Sequence, residues 1–460
     1  MVSLTITLLA IFSILLTILS TKKGYLIFVL IIPYLDLLPR TSFLGVNLQN
    51  LLIFTLFLAS VLARRRSRTK DPTAAIVALF VAWISISAVL TPAFTEMRYL
   101  NGGPSAGVLT SYNNWVPFML LYFVSRNTIT TNRDVHRLSA AISFGLFMEA
   151  ALCLAQSIHR GGARRLYGHI STNPNDFAAF LTAYVFLCVA LAACKRQDRR
   201  DTFLYLGIDV RLPRFFYIVA SVTAIVDIVL SGSRGAYLAI LLVSLYFSLR
   251  RSILLSTVLI TFLITVSLNY QSILPPVAVK RINQTFVSSE ELGVELGGVL
   301  VDRSAGARLL LSKVSYRIWM DSPLWGVGFH RMPSYGWAKG YFQSEGLDRP
   351  MVAHNAYLQI LAEFGIIGLA LYILLNIRVW TSATEVIKNS RDGSFERYYS
   401  LALKCIILSF AVTNLFGSRF YNGRVIAYFF VSCGAIPTLM TYLHSLSEPG
   451  RFRLNESACD

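Results

Sequence analysis

The chain has 460 residues, 55% of them hydrophobic and only 14% charged, with a mean hydropathy of +0.58. Soluble domains carry roughly 25% charged residues, so the composition excludes an ordinary soluble protein and points to one dissolved in lipid. A net charge of +18 would suit a nucleic-acid binder, but the way the cations divide between alternate loops argues for membrane topology instead.

Apolar runs long enough to span about 30 Å of hydrocarbon recur from end to end. They fall at 4–20, 24–39, 46–63, 73–91, 112–125, 138–157, 175–194, 215–231, 234–249, 253–270, 356–377, 400–416 and 425–443. The first, second and fifth are short or interrupted, so the expectation is an all-α polytopic membrane protein with about 12–14 transmembrane helices. No basic residue precedes the first run, and Lys22 and Lys23 follow it, the order of a retained anchor rather than a cleaved secretory signal.

With the N-terminus outward, the inner loops hold Lys22–Lys23, RRRSRTK (64–70), Arg126, Arg133, Arg137, KRQDRR (195–200), Arg211, Arg214, Arg250–Arg251, Arg378, Lys388, Arg391 and Arg397. Cations concentrate on that side, as the positive-inside rule requires. The outer face then holds 158–175, the SGSRG corner at 231–235 and the long loop 271–355. The inner loop 381–399 and the tail 444–460 read as solvated, topology-setting segments.

Three returning helices open with unusual chemistry on the outer face. The first follows HRGGARRLYGH (159–169), a basic loop where short loops should be poor in Lys and Arg; Arg160, Arg164 and Arg165 are candidate contacts for an acidic substrate. Asn173, Asn175 and Asp176 are good helix caps, and Pro174 suits a first turn; capping alone explains them, and contact with substrate is the sharper alternative.

The second opens at SGSRG. Ser231 or Ser233 can cap it, which leaves Arg234 in the first turn, where the helix dipole disfavours a cation by a few tenths to about 1 kcal/mol. An anion would reverse that cost, since helix amides and guanidinium would point at one negative group. The plainer reading is that Arg234 snorkels to headgroups or pairs with Asp227. Glu149 and Asp36, the other acids within spans, read as helix-contact residues.

The third begins at HNAYLQ (354–359). A histidine at a helix N-terminus is held neutral, as a general base requires, although most such histidines only hydrogen-bond at an interface. In the loop before it, Ala307, Leu310, Leu311, Val314 and Ile318 form a helical stripe flanked by Arg308 and Arg317. That pattern predicts a helix lying flat on the membrane, ended by Pro323. A loop fastened at both ends beside these residues suits a lid. No cysteine falls in 271–355 and there is no CxxC spacing, so neither an external disulfide framework nor a metal pattern is expected.

SGSRGAYLA, GARLLLSKVSYRIWMDSPLWGVGF and HNAYLQILAEFGIIGL, in that order over roughly 215–380, resemble the hallmark segments of the O-antigen ligase and Wzy-type polysaccharide polymerase superfamily. NPNDFA (173–178) is similar to a segment seen in many members. The resemblance implies a GT-C-like helical membrane glycosyltransferase at the periplasmic face of the bacterial inner membrane. Its donor would be an oligosaccharide on undecaprenyl diphosphate, and it would use no nucleotide sugar, metal or other cofactor. It further implies that Arg234 and Arg308 engage the donor diphosphate and that His354 helps activate the acceptor hydroxyl. Arg317, Asn355, Arg164, Arg165, Asn173 and Asn175 are secondary, substrate-binding candidates.

The preferred reading is polymerisation of a surface polysaccharide or exopolysaccharide, with a lipid-linked repeat as acceptor and a chain-length regulator as a further candidate partner. Ligation of the O-antigen glycan to lipid A-core is the alternative. A flippase or exporter of the same lipid-linked glycan is the reading from another class; against it stand the missing internal repeat and the gathering of unusual residues at one face rather than the midplane. The expected segments are N-terminal helices (1–214), a core with the periplasmic loop (215–380), C-terminal helices (381–443) and a cytoplasmic tail (444–460).

Overall fold

In the computed structural model each apolar run lies on a helix. The structure describes residues 2–38, 47–63, 71–94, 104–159, 165–195, 203–205, 209–283, 293–296 and 299–447. In chain order come α1 (Val2–Leu19), α2 (Thr21–Ile31) with a 3-10 extension (Ile32–Leu37), α3 (Leu48–Leu62), α4 (Pro72–Phe94), α5 (Pro104–Thr128), α6 (Asn132–His159) and α7 (Pro174–Ala193). A hairpin of β1 (Phe203–Tyr205) and β2 (Asp209–Arg211) precedes α8 (Arg214–Leu230), α9 (Arg234–Arg251) and α10 (Ile253–Leu268). The long loop contains α11 (Tyr270–Ile273), α12 (Pro276–Asn283), a hairpin of β3 (Gly293–Leu296) and β4 (Val299–Asp302), α13 (Arg303–Asp321), α14 (Met332–Ala338) and α15 (Tyr341–Ser344). The chain closes with α16 (Ala356–Asn389), α17 (Phe395–Thr413) and α18 (Gly423–Ser447). The two short hairpins were not expected from the sequence.

The protein is an all-α polytopic membrane protein. Five helices (α4, α6, α7, α16 and α18) are long and apolar enough to cross a membrane, and three shorter apolar helices accompany them. Among the described residues α18 packs on α5, α17 on α7 and α7 on α8, so the early and late helices share one core. Exposed leucines, isoleucines and valines on α1, α4, α8 and α10 suit lipid contact.

The two ends of the bundle differ in chemistry. At one end Lys22 pairs with Asp134 (2.8 Å), Arg126 with Asp71 (2.6 Å), and the Lys195 amide donates to the Gly393 carbonyl (3.2 Å). These are the segments whose cations are expected to set topology. The other end collects 165–173, the SGSRG corner, the start of α16 and the 414–422 turn.

Two features of the long loop depart from expectation. The stripe of α13 is not left for a membrane surface: Leu311, Val314 and Ile318 are fully buried against Val327, Met332, Phe342, Ala353 and Ala362, a small core belonging to the loop and the start of α16. The apolar face of α13 is thus consumed by protein neighbours that a helical wheel does not show.

The run 356–377, read as one span, is broken at Gly365, where φ is 64°. Three carbonyls and one amide freed at the break find partners outside α16, as burial demands. Val327 and Gly328 amides donate to the carbonyls of Ala362 (2.9 Å) and Glu363 (3.0 Å), and the Ile366 amide donates to the Pro323 carbonyl (2.9 Å). Trp83 Nε1 donates to the Phe364 carbonyl at 3.2 Å, and its ring stacks on Trp325. The WGVGF segment therefore sits in the helix break and fixes the short first section of α16 against the loop.

Candidate functional site

α8 ends at Leu230, and the chain reverses through Ser231–Gly232–Ser233, with Gly232 at φ 64°, a left-handed conformation that glycine adopts at little cost. Ser233 occupies the N-cap position of α9 but its side chain makes no capping bond; the Ser231 hydroxyl instead accepts from the Ser233 amide at 3.3 Å. Arg234 is the first residue of α9, where the sequence places it. Asp227 does not pair with it: its carboxylate is fully buried, with no hydrogen-bond partner among the described residues.

Arg234 and Arg308 line one recess, together with Asn175, Ser233, Gly235, Thr413, Phe416 and Arg419. Two cations that arrive from α9 and α13, some seventy positions apart, thus meet at a helix N-terminus, the arrangement that suits an anion. His354 does not line this recess, but it lies within range of the Arg308 charge. Burial first, and then the Arg308 charge, lowers its imidazole below the ordinary histidine value, which favours the neutral form at pH 7. Its backbone is left-handed (φ 51°), a conformation uncommon outside glycine and frequent at functional sites. Asn355 caps α16, its Oδ1 accepting from the amides of Tyr357 (3.0 Å) and Leu358 (3.2 Å). The Ala356 amide donates to the Asn414 carbonyl, and the fully buried Asn414 also accepts from the Phe420 amide and donates to Tyr372.

Arg165 holds the corner in place. Its Nε donates to the Ser231 carbonyl (2.8 Å), and its Nη2 donates to the Gly232 carbonyl (3.3 Å) and to Asn175 Oδ1 (2.9 Å). A cation at the carbonyl end of α8 complements the helix dipole, which accounts for one basic residue in a loop expected to be poor in them. Asn173 caps α7 by accepting from the Asn175 amide at 2.9 Å and does not line the recess. Arg317 lies elsewhere: it pairs with Glu345 (2.9 Å) and donates to Ser344 (2.9 Å), tying α13 to α15. Arg160 and Arg164 lie outside the described residues.

One cation of the recess went unnoticed in the sequence. Arg419 pairs with Asp176, which also accepts from Asn422 and Ser171. Burial, followed by the Arg165 charge, lowers its guanidinium to about 10, so it stays charged at pH 7. The available signal was positional: a cation in the short turn 417–424, on the face where the topology calls for few.

Among the described residues, one group carries metal-ligand types within reach of one another: Glu149, Cys153 and His169, with ligand atoms within 4.8 Å. Glu149 is already engaged, accepting from the Ile170 amide (2.9 Å) and facing His169 Nδ1 (3.2 Å). This group ties the 165–173 loop to α6. The five described cysteines are free and buried.

Residues 219–373 match the O-antigen ligase family model. The matched segment runs from α8 into α16 and contains Arg234, Arg308, Arg317, His354 and Asn355. The resemblance read from the hallmark segments is borne out over that stretch. An O-antigen ligase segment implies ligase- or polymerase-type glycosyl transfer involving a lipid-linked glycan and an acceptor. Arg165 and Asn173 lie outside the segment, and so do four contributors to the recess wall, Asn175, Thr413, Phe416 and Arg419. No curated protein matches the chain.

Proposed function

We propose that this protein transfers a glycan from undecaprenyl diphosphate to an acceptor hydroxyl at the periplasmic face of the bacterial inner membrane, and that the product is a polymerised surface polysaccharide or exopolysaccharide. The observation that carries this reading is the convergence of Arg234 and Arg308 on one recess at the start of α9, with His354 close enough for the Arg308 charge to favour its neutral form. A diphosphate needs cations and helix amides; a sugar hydroxyl needs a base.

His354 takes the proton of the acceptor hydroxyl as its oxygen bonds to the anomeric carbon of the donor sugar. The bond from that carbon to the phosphate oxygen breaks, and undecaprenyl diphosphate leaves with the bonding pair. Arg234 and Arg308 stabilise the charge that develops on the phosphate, the kind of electrostatic assistance that usually dominates such steps. Arg165 and Asn175 hold the corner from which Arg234 projects. Arg419 completes the recess wall, its charge balanced by Asp176.

The test uses purified protein in lipid with undecaprenyl-diphosphate oligosaccharide and no nucleotide sugar, resolving products by size with and without lipid A-core. A ladder lost in Arg234→Ala and His354→Ala proteins supports polymerisation. One added glycan, made only with core present, identifies a ligase. No transfer by folded protein given a matched donor turns the assignment to transport.

A further inference from the structure

Beside the arginine recess lies a much larger cavity, of about 670 Å³, in the range of roughly 300–1,000 Å³ typical of ligand sites. The two share a wall: Asp176 lines the cavity, and its partner Arg419 lines the recess. Val352, two residues before His354, also lines the cavity. A molecule seated there would reach the candidate reacting groups without leaving the protein.

Its chemistry is neither that of a lipid pocket nor that of an anion site. One wall is aromatic: half-buried Tyr421 lines it, and behind Tyr421 the buried Trp115 stacks on it at 4.7 Å and on Phe329 at 5.6 Å. Around it stand side-chain amides, among them Asn114, Gln359 and Asn422. The cation at its rim is neutralised, with Arg424 paired to Asp36 at 2.7 Å. Amides both donate and accept, which matches vicinal hydroxyls, and an aromatic wall matches the C–H faces of pyranose rings.

A second observation points to a ligand. Gln359 is 2% exposed, and while its Nε2 donates to Glu363 at 3.3 Å, its Oε1 has no partner among the described residues. Ser418 Oγ, on the same lining, also lacks one. Buried polar atoms of this kind are normally satisfied, and hydroxyl donors of a sugar would satisfy Gln359.

Building on the transfer reading above, we propose that this cavity is the glycan subsite. A short run of pyranose rings lies against Tyr421, which Trp115 and Phe329 back as a buried stack, hydrogen-bonded by Asn114, Gln359 and Asn422, while the diphosphate is held separately by Arg234 and Arg308. Recognition of the sugar and recognition of the carrier are then divided between two adjoining compartments.

The experiment measures binding to the full chain in nanodiscs. The probes are undecaprenyl diphosphate alone, the lipid-linked oligosaccharide extracted from membranes of the source cells, and the lipid-free oligosaccharide released from it. Asn114→Ala, at an exposed lining position, is expected to weaken the glycan-bearing carrier about tenfold and leave the bare carrier unchanged. Ser111→Trp, which fills the cavity, should do the same more strongly; retained binding of the bare carrier certifies both folds. Arg234→Ala should weaken both carriers. Wild-type affinity for the glycan-bearing carrier in Asn114→Ala and Ser111→Trp overturns the subsite. Wild-type affinity for both carriers in Arg234→Ala overturns the transfer reading, a separate failure. Lipid-free oligosaccharide that still binds when the glycan-bearing carrier saturates the protein makes the cavity the acceptor's; exclusion makes it the donor's.

Discussion

The guanidinium of Arg308 acts on the imidazole of His354, and after burial it is the second cause that lowers that imidazole's proton affinity. One residue therefore serves two proposed roles, partner of the diphosphate and tuner of the base. A positive neighbour disfavours the protonated form, so removing it raises the imidazole pKa. In Arg308→Gln protein the acid limb of the turnover–pH profile should move to higher pH. A limb that stays in place, or moves down, separates the two residues functionally.

Arg234→Ala should weaken donor binding by roughly 10- to 100-fold, the scale of a charged hydrogen bond of about 1.5–3 kcal/mol. Arg234→Lys should recover only part of it, because an ammonium lacks the planar fork that meets a phosphate bidentately. Titration of both variants with undecaprenyl diphosphate measures this, and full recovery by lysine argues for a simple point charge.

His354→Ala should divide differently. Loss of a general base lowers turnover by about 10²–10⁴-fold while donor affinity holds near wild type. Normal polymer from a well-expressed His354→Ala protein removes the residue from the mechanism.

Gly365→Ala should destabilise the protein. A β-carbon there would lie 2.1 Å from the Leu324 carbonyl oxygen, in backbone of φ 64°. The left-handed strain alone is of order 1–3 kcal/mol, and the overlap with main chain adds to it. Thermal unfolding in detergent reads the loss; an unchanged midpoint would show that the loop tolerates displacement. Gly340→Ala, whose added β-carbon meets nothing within 4 Å, is the control for positive φ without overlap.

Arg165→Met should leave the chain folded and lower turnover, since the carbonyls of Ser231 and Gly232 lose their donor and the corner carrying Arg234 loosens. A folded variant with wild-type turnover would make this contact incidental to the site.

The helices were legible because an apolar run of spanning length has few alternatives in lipid. Arg234 and His354 were legible because each stands at a helix start, where its charge or proton affinity has a readable consequence. The partner of Arg317 was not legible: it flanks the apolar stripe of α13 as Arg308 does, and only the fold brings Glu345 to it. Gly365 was hidden inside AEFGIIGL, since a glycine in an apolar run does not announce a positive φ. Arg419 lacked a motif, and the cavity wall around Trp115 is assembled from α5, the long loop and the 414–422 turn, which no local pattern joins.

The WGVGF segment enters the break in α16 through main-chain groups, the bonds of Val327, Gly328 and Ile366 being amide to carbonyl. Such a joint reads glycine spacing and chain direction and is nearly blind to the side chains that decorate it. Loop residues facing outward can then be exchanged over generations without retuning the position of His354. The surface of the loop is thereby free to vary while the start of α16 keeps its place.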